Sequence, residues 1–524
     1  MTGTTTSPLL RQPERRVVRP WATGILAAIR RHRWASVGIA VAAGVLTGWL
    51  MATFMPRGPV TPIGVVVAIA TGFALGGLTG LVLQSRWAIL VTPLIFIVGY
   101  ETFRVGVVGP SVDAPDLSTD FGLYVLVLGR GFHAVVGLVP MMVGAAVGAA
   151  AARRMRGDEL ANDGWRRVAR RTRQGVTVVL ALSLVALGVL MTRPGSTAPI
   201  SAPDGSPVPG SVTELAKVDL GGHEQTVLIR ARSTDNPVLL YLSGGPGQSD
   251  LGYTRHYMTE LEDDFVFAVW DQRGTGTSYA ELDPAETWTL DQAVADTVEL
   301  ARYLRDRFGQ EKIYLFGNSW GSTLGVLAVQ QHPELFHAYV GSGQMASQFA
   351  ADQALYEQML DYAARTGDTD LTERMLDYGP PPYDDIVAYA LVMQYYDRLA
   401  PYPKTAYFQT EGPPGIDGAG ASEYGPLDKI NKLKAIADMG AVMYPQLQNV
   451  DFRTQVPRLD VPVYLIQGEH ELTARSVPTR EWFEGLEAPL KEWISFADSG
   501  HVPQFEEFPR FREVMTAIAR HSQP

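Results

Sequence analysis

Lys312-Ile313-Tyr314-Leu315-Phe316-Gly317-Asn318-Ser319-Trp320-Gly321-Ser322 is the stretch that decides how this chain folds. After Lys312 come four apolar or aromatic residues, as in a short buried strand. Thr323-Leu324-Gly325-Val326-Leu327-Ala328 then reads as a helix. Between them stands Gly317-Asn318-Ser319-Trp320-Gly321, a Gly-x-Ser-x-Gly match. In a chain with 52 glycines the match alone is weak; the strand before it and the helix after it give it weight. Glycines at 317 and 321 remove Cβ atoms where strand and helix crowd the turn. Ser319 is then expected in a strained conformation with its hydroxyl exposed. The N–H of Trp320 points to where an oxyanion would form, at the positive end of the new helix. The plainer alternative is a serine capping an ordinary helix.

A nucleophilic serine needs a base. In this setting the expected chain order is serine, acid, histidine. Three histidines remain late in the chain, His470, His501 and His521. His521 falls in the tail, and His470 in the turn where the acid belongs. His501 follows a strand-like run, Trp493 to Ala497, and precedes a terminal helix, so it is the expected base. The acid should lie just past the strand ending at Ile466, where Gly468-Glu469-His470-Glu471 offers two glutamates. The second oxyanion donor is expected in Ser243-Gly244-Gly245-Pro246-Gly247, from Gly244 or Gly245, because residues without side chains let backbone N–H groups approach a substrate.

Outward from this core the pattern is α/β. Val212 to Val218 and Gln225 to Ala231 read as a strand pair. Pro237 to Leu242, Phe265 to Trp270 and Ala338 to Gly341 are short buried strands, and Leu290 to Phe308 is an amphipathic helix. Alternation of this kind implies a mostly parallel sheet covered by helices. It stops near Met345 and resumes at Val461. The interval, about 346–455, is expected to be an inserted helical lid.

The first 193 residues carry 20 arginines against 8 carboxylates, a net of +12, while the rest of the chain nets −23. The two parts therefore meet different surroundings. An acidic second part argues against nucleic acid as a partner. With no cysteine in the chain, disulfides, thiolate nucleophiles and Cys-based metal sites are excluded. No cofactor or metal is expected.

Five apolar runs precede Arg193, at about Ala35–Met55, Pro62–Leu83, Trp87–Val108, Phe132–Ala152 and Gly175–Thr192. Each is close to the ~20 residues that a membrane-crossing helix needs. Small residues recur at four-residue spacing, among them Gly44 and Gly48, Gly72, Gly76 and Gly80, and Gly144 and Gly148. Such spacing suits close helix packing within a bundle. Arginines cluster at residues 11–33 and again from Arg153 to Arg173, while the segment after the third run carries Asp113, Asp116 and Asp120. The excess of arginine places both clusters in the cytoplasm, and five crossings leave everything after Arg193 outside. Glu101 and Arg104, one turn apart near the end of the third run, read as an interfacial pair. The domain plan is a basic N-terminus (1–34), five membrane helices (35–192), a Pro/Ser/Gly linker (193–210) expected as a tether without fixed structure, and an outer domain (211–524).

Leu242-Ser243-Gly244-Gly245-Pro246-Gly247, Trp270-Asp271-Gln272-Arg273-Gly274-Thr275-Gly276-Thr277-Ser278 and Gly317-Asn318-Ser319-Trp320-Gly321-Ser322 together resemble the prolyl iminopeptidase family of serine peptidases, which has the α/β-hydrolase fold. The resemblance covers about Val212 to Gln523. It implies Ser319 as nucleophile, His501 as base and Glu471, the fourth residue of Gly-Glu-His-Glu, as acid; Asp271 and Arg273 would be structural. The chain departs from the family in having Ser243 where a histidine is usual, Asn318 where a glycine is usual, and a glutamate for the usual aspartate acid. Family members read the substrate amine through lid glutamates, and the lid here offers Glu357, Asp361, Glu373, Asp384 and Asp385. The membrane helices have no counterpart in soluble members.

The expected function is therefore a membrane-anchored serine hydrolase that removes N-terminal residues from short peptides. A hydrolase of acyl esters near the bilayer is the alternative, motivated by tethering and by the lid residues Tyr356, Tyr362, Tyr389, Tyr395 and Tyr396. A non-catalytic binding module is a third.

Overall fold

The computed structural model describes residues 33–55, 60–105, 119–156, 164–383, 386–410, 412 and 415–522. The chain divides into two compact units, one of residues 1–54, 66–105 and 134–186, the other of the remainder.

The first unit is helical. Arg33–Phe54, Pro62–Leu83, Asp120–Arg156 and Gly164–Met191 are each long and apolar enough to cross a membrane; residues 62–65, 120–133 and 187–191 of these helices belong to the second unit. Trp87–Val108, expected as a full crossing, gives a shorter helix of 17 residues, Ala88–Arg104. It ends where Glu101 and Arg104 pair at 3.6 Å, with the Arg104 guanidinium 5.0 Å from the Tyr100 ring. The last helix begins eleven residues before the expected Gly175. Arg166, Arg167, Arg170, Arg171 and Arg173 thus ride on its first turns instead of in a loop, in keeping with the helix propensity of arginine. The four-residue glycine spacing is explained by packing inside this unit. A Cβ on Gly48 would lie 2.8 Å from Tyr100 N, one on Gly76 2.0 Å from Met141 O, and one on Gly148 2.1 Å from Gly77 O. Backbones this close leave no room for a side chain.

The second unit is built on an eight-stranded sheet. Its strands are β1 (Val212–Leu220), β2 (His223–Ala231), β3 (Val238–Leu242), β4 (Val266–Asp271), β5 (Ile313–Asn318), β6 (Phe336–Ser342), β7 (Val463–Gly468) and β8 (Lys491–Phe496). The spatial order is β1-β2-β4-β3-β5-β6-β7-β8. Pairing is antiparallel in β1–β2 and β2–β4 and parallel from there to β8. Gly221 and Gly222, at φ +59° and +80°, close the β1–β2 hairpin with the left-handed conformations that a two-residue turn needs. Strands β3, β4 and β5 are buried along their whole length, as covering on both faces requires.

Between β6 and β7 the chain leaves the sheet. Helices Gln348–Thr366, Thr369–Tyr378, Ile386–Leu399 and Pro426–Leu447 form the insertion. Leu355, Met359, Leu371, Met375 and Leu391 give its first three helices a core of their own, joined by Leu472 from beyond β7.

The segment expected as a free tether is held down. Ser196 donates its N–H to Ser422 O (2.9 Å), Thr197 donates to Glu423 (2.9 Å), and Arg230 donates to both Thr197 and Ala198 O at 2.6 Å. Arg230 also pairs with Glu262, and Arg255 bridges Glu262 to Glu423. Composition forecasts mobility only for a segment without partners, and here a buried ion network supplies them.

Candidate active site

Strand β5 turns into helix Trp320–Gln331 at Ser319, whose φ of +51° and ψ of −118° are strained for a residue with a side chain. Three hydrogen bonds hold it there. Its N–H donates to Ser342 O at 3.0 Å, and its carbonyl accepts from Ser322 N (2.8 Å) and Ser322 Oγ (2.5 Å). The two flanking glycines are required by close approach. A Cβ on Gly317 would lie 2.4 Å from Gly321 O, and one on Gly321 2.2 Å from Leu242 O. Gly321→Ala must push a central strand aside. We expect a loss of about 3 kcal/mol in stability, read as a lower thermal midpoint.

The next strand end carries the neighbour. Ser342, which accepts from Ser319 N, is followed by Gly343 at φ +51°. A Cβ on Gly343 would sit 2.7 Å from His501 O and 2.9 Å from both Cε1 and Nδ1 of its ring. Asn318 donates Nδ2 to Ser342 O (3.2 Å) and to His501 O (3.4 Å). Ser319 and His501, 182 positions apart in the chain, therefore pack on the same two-residue turn. A glycine is needed there to admit the ring. Asn318, expected only as a departure from a family pattern, ties the elbow to the histidine loop.

His501 Nδ1 lies 2.5 Å from Glu471 Oε2. Glu471 is buried, and its other oxygen accepts from Leu472 N (2.9 Å) and from the Tyr396 hydroxyl (2.5 Å). Burial pushes this carboxyl up, but the charge and hydrogen bond of His501 outweigh it and bring it down to about 2. Glu469 is exposed. His470 stacks on Tyr402, and His521 is exposed in the terminal helix. Of the alternatives the sequence left open, the structure brings Glu471 and His501 together.

Gly244 stands beside the elbow. A Cβ on it would meet Asn318 Oδ1 at 3.2 Å and Ser319 Cβ at 3.5 Å. Gly245, at φ +116°, faces its own loop, where a Cβ would meet Gly247 N at 2.6 Å. Trp320 donates its indole N–H to Gln272 (2.8 Å), and Gln272 donates to Ser243 O (3.4 Å). Asp271 and Arg273 have structural partners. Asp271 accepts from Ser249 and from Thr277 N and Oγ1. Arg273 donates to Glu281 O, Pro284 O and Thr287. Burial pushes the Asp271 carboxyl up to about 6 against those hydrogen bonds.

Glu357, Asp361 and Glu373 are exposed, and Asp384 and Asp385 lie outside the described residues. Asp352 is a buried lid carboxylate that the sequence reading missed; it accepts from Gln348 and Gln448. Its spacing from Leu355 and Met359, three and seven residues on and so on the apolar face of helix Gln348–Thr366, was the available signal. Burial raises its carboxyl to about 6 against those two hydrogen bonds. Because the folded value is the higher one, the stabilising contribution is complete below about pH 4 and is lost as pH rises through 6. Asp352→Asn should therefore flatten the fall in thermal midpoint between pH 4 and 7. An unchanged slope would show that this carboxyl does not titrate there.

Among the described residues no group of histidines and carboxylates is arranged to hold a metal ion.

The sequence profile of the alpha/beta hydrolase fold matches residues 237–508. A Bacillus subtilis (strain 168) protein named probable aminopeptidase YbaC is 29% identical over 311 residues, covering 59% of this chain and 98% of its own. The proline iminopeptidase of Lactobacillus delbrueckii subsp. lactis is 23% identical over 299 residues, covering 55% of this chain and 92% of its own. The crystal structure of proline iminopeptidase from Mycobacterium smegmatis superposes with a TM-score of 0.42 at 21% identity, over 59% of this chain and 99% of that one.

Proposed function

We propose, from the premise that this chain belongs to the alpha/beta hydrolase fold family, that it is a membrane-anchored serine aminopeptidase whose catalytic residues are Ser319, His501 and Glu471. One observation carries the proposal: the Glu471–His501 pair at 2.5 Å abuts the turn that also fixes the strained Ser319. Ser319 Oγ attacks the carbonyl carbon of the first peptide bond as His501 Nε2 takes its proton. Glu471 accepts the Nδ1 hydrogen and steadies the imidazolium. The N–H groups of Trp320 and Gly244 meet the developing oxyanion. Collapse passes the proton to the departing amine and leaves an acyl-enzyme, which water hydrolyses by the same steps in reverse. Gly244 is favoured over Gly245 because it lies beside Ser319 while Gly245 faces its own loop.

The names of the relatives support a peptide substrate, and the net of −23 after Arg193 would draw a cationic amine toward the domain. The full-length enzyme should turn over proline and alanine naphthylamides. Hydrolysis of short acyl esters alone would reject the peptidase reading and leave the esterase.

The same arginines support the placement of the enzyme outside the cytoplasm. They sit on the first turns of Gly164–Met191, the span that leads directly into the hydrolase domain. Their charge favours a cytoplasmic start to that helix, so its far end emerges on the other side whatever the number of earlier crossings. The chain has no cysteine, which gives a clean test. Asp235→Cys should react with an impermeant maleimide on intact cells, and Trp165→Cys only after permeabilisation. The reverse pattern would invert the topology.

A further inference from the structure

A glutamate acid carries one more rotatable bond than an aspartate, so pointing one oxygen at the histidine leaves its carboxylate less constrained. Here both oxygens are held, and part of the hold comes from the lid. Tyr396, on lid helix Ile386–Leu399, donates its hydroxyl to Glu471 Oε1 while His501 Nδ1 meets Oε2. The Tyr396 ring has two further neighbours: its centroid is 5.9 Å from that of His501, and the buried Arg475 guanidinium lies 5.0 Å from it. Burial first, and then the Glu471 charge, keep the phenol protonated far above its ordinary range, so that it remains a donor.

The same lid segment reaches the histidine loop. Tyr402 donates to Glu506 (2.8 Å) while accepting from Lys404, and Lys404 also pairs with Glu506 at 3.1 Å. Glu506 takes the N–H of Gly500, next to His501, at 2.8 Å. One stretch of lid, 396–404, thus braces the acid directly and the base through one carboxylate.

We infer that Tyr396 is a positioning residue for the reaction, and that the lid completes the catalytic geometry by locking the glutamate acid when it is seated. The inference rests on the assignment of Ser319, His501 and Glu471 given above. Lifting the lid breaks a charge-assisted hydrogen bond to the acid, so a molecule with its lid raised has a slack acid and a weakly activated serine. The charged and titratable groups facing Tyr396 are Glu471, His501, Arg475 and Tyr402.

The test is the second-order rate of fluorophosphonate labelling of the full-length enzyme across pH, which needs no knowledge of the natural substrate. Tyr396→Phe keeps the ring and removes the donor. Labelling should slow about tenfold, the order expected for a lost hydrogen bond to a charged group. The acid limb of the profile should also move down, because a carboxylate no longer locked toward the ring holds the imidazolium less tightly. A packing role alone would move neither quantity. In a Glu471→Asp background the shorter arm no longer meets the hydroxyl, so adding Tyr396→Phe should cost less than twofold. Tyr395→Phe, whose hydroxyl donates to Asp368 instead, is the control and should label like the wild type. A wild-type rate and an unmoved acid limb in Tyr396→Phe overturn the inference. If His501→Ala also labels at the wild-type rate, the assignment of the three catalytic residues fails with it; if His501→Ala is inert, only the role of Tyr396 falls.

Discussion

Replacing Ser319 by alanine is expected to lower kcat by about a millionfold, the scale seen when the nucleophile of a serine–histidine–acid set is removed. Fluorophosphonate labelling should vanish. The elbow itself should survive: its fixed points are the backbone bonds to Ser342 and Ser322 and the contacts of Gly317 and Gly321, none of which involves the hydroxyl. Alanine meets the same positive φ as serine, so the thermal midpoint should stay near the wild type. What remains of catalysis would come from the oxyanion donors and binding, about a thousandfold over water. Retained labelling in a folded Ser319→Ala protein would mean that another residue is the nucleophile and would remove the proposal; a wild type that does not label would leave a binding module.

The second large effect separates two glutamates two residues apart. Glu471→Gln should cut kcat by about 10⁴-fold, because an amide cannot steady an imidazolium and can bind the wrong tautomer. Glu469→Gln should leave activity unchanged, since that side chain is exposed. Glu471 is ionised across the working range, its carboxyl brought down to about 2 by His501 against the opposing effect of burial. The stability it contributes is present above its ordinary value of 4.5 and is lost only as pH falls toward 2. Loss of activity on mild acidification therefore does not come from this acid. Equal losses in the two variants would mean that both act through the loop and that neither is the acid.

The chain itself dictated the elements close to the elbow, because the determinants there are local. A buried strand, two glycines and a serine at fixed spacing must turn sharply. The alternation around Ser319 forces a parallel sheet, and chain order leaves few histidines to serve as base. The apolar runs likewise declare themselves by length. Their ends do not: arginine is tolerated on a helix beyond the bilayer as well as in a loop, and Gly164–Met191 takes it on the helix.

Residue spacing left Glu469 and Glu471 open and the family resemblance pointed to Glu471; the tertiary structure sets Glu471 against His501. Two residues along a tight turn reverse which side chain is buried, and that direction follows from the packing of Gly468 against Ser499 and Gly500. Tyr396 showed in sequence as one more aromatic of a lid core. Its hydroxyl gains meaning only when the insertion folds back over a carboxylate 75 positions later. The 193–210 segment carries a composition that has no structure by itself, and the partners that fix it come from strand β2 and the lid. Local pattern sets where the chain must bend and what it must bury. Which polar groups then meet is set by long-range closure, because a hydrogen bond depends on tenths of an ångström that spacing along the chain does not encode.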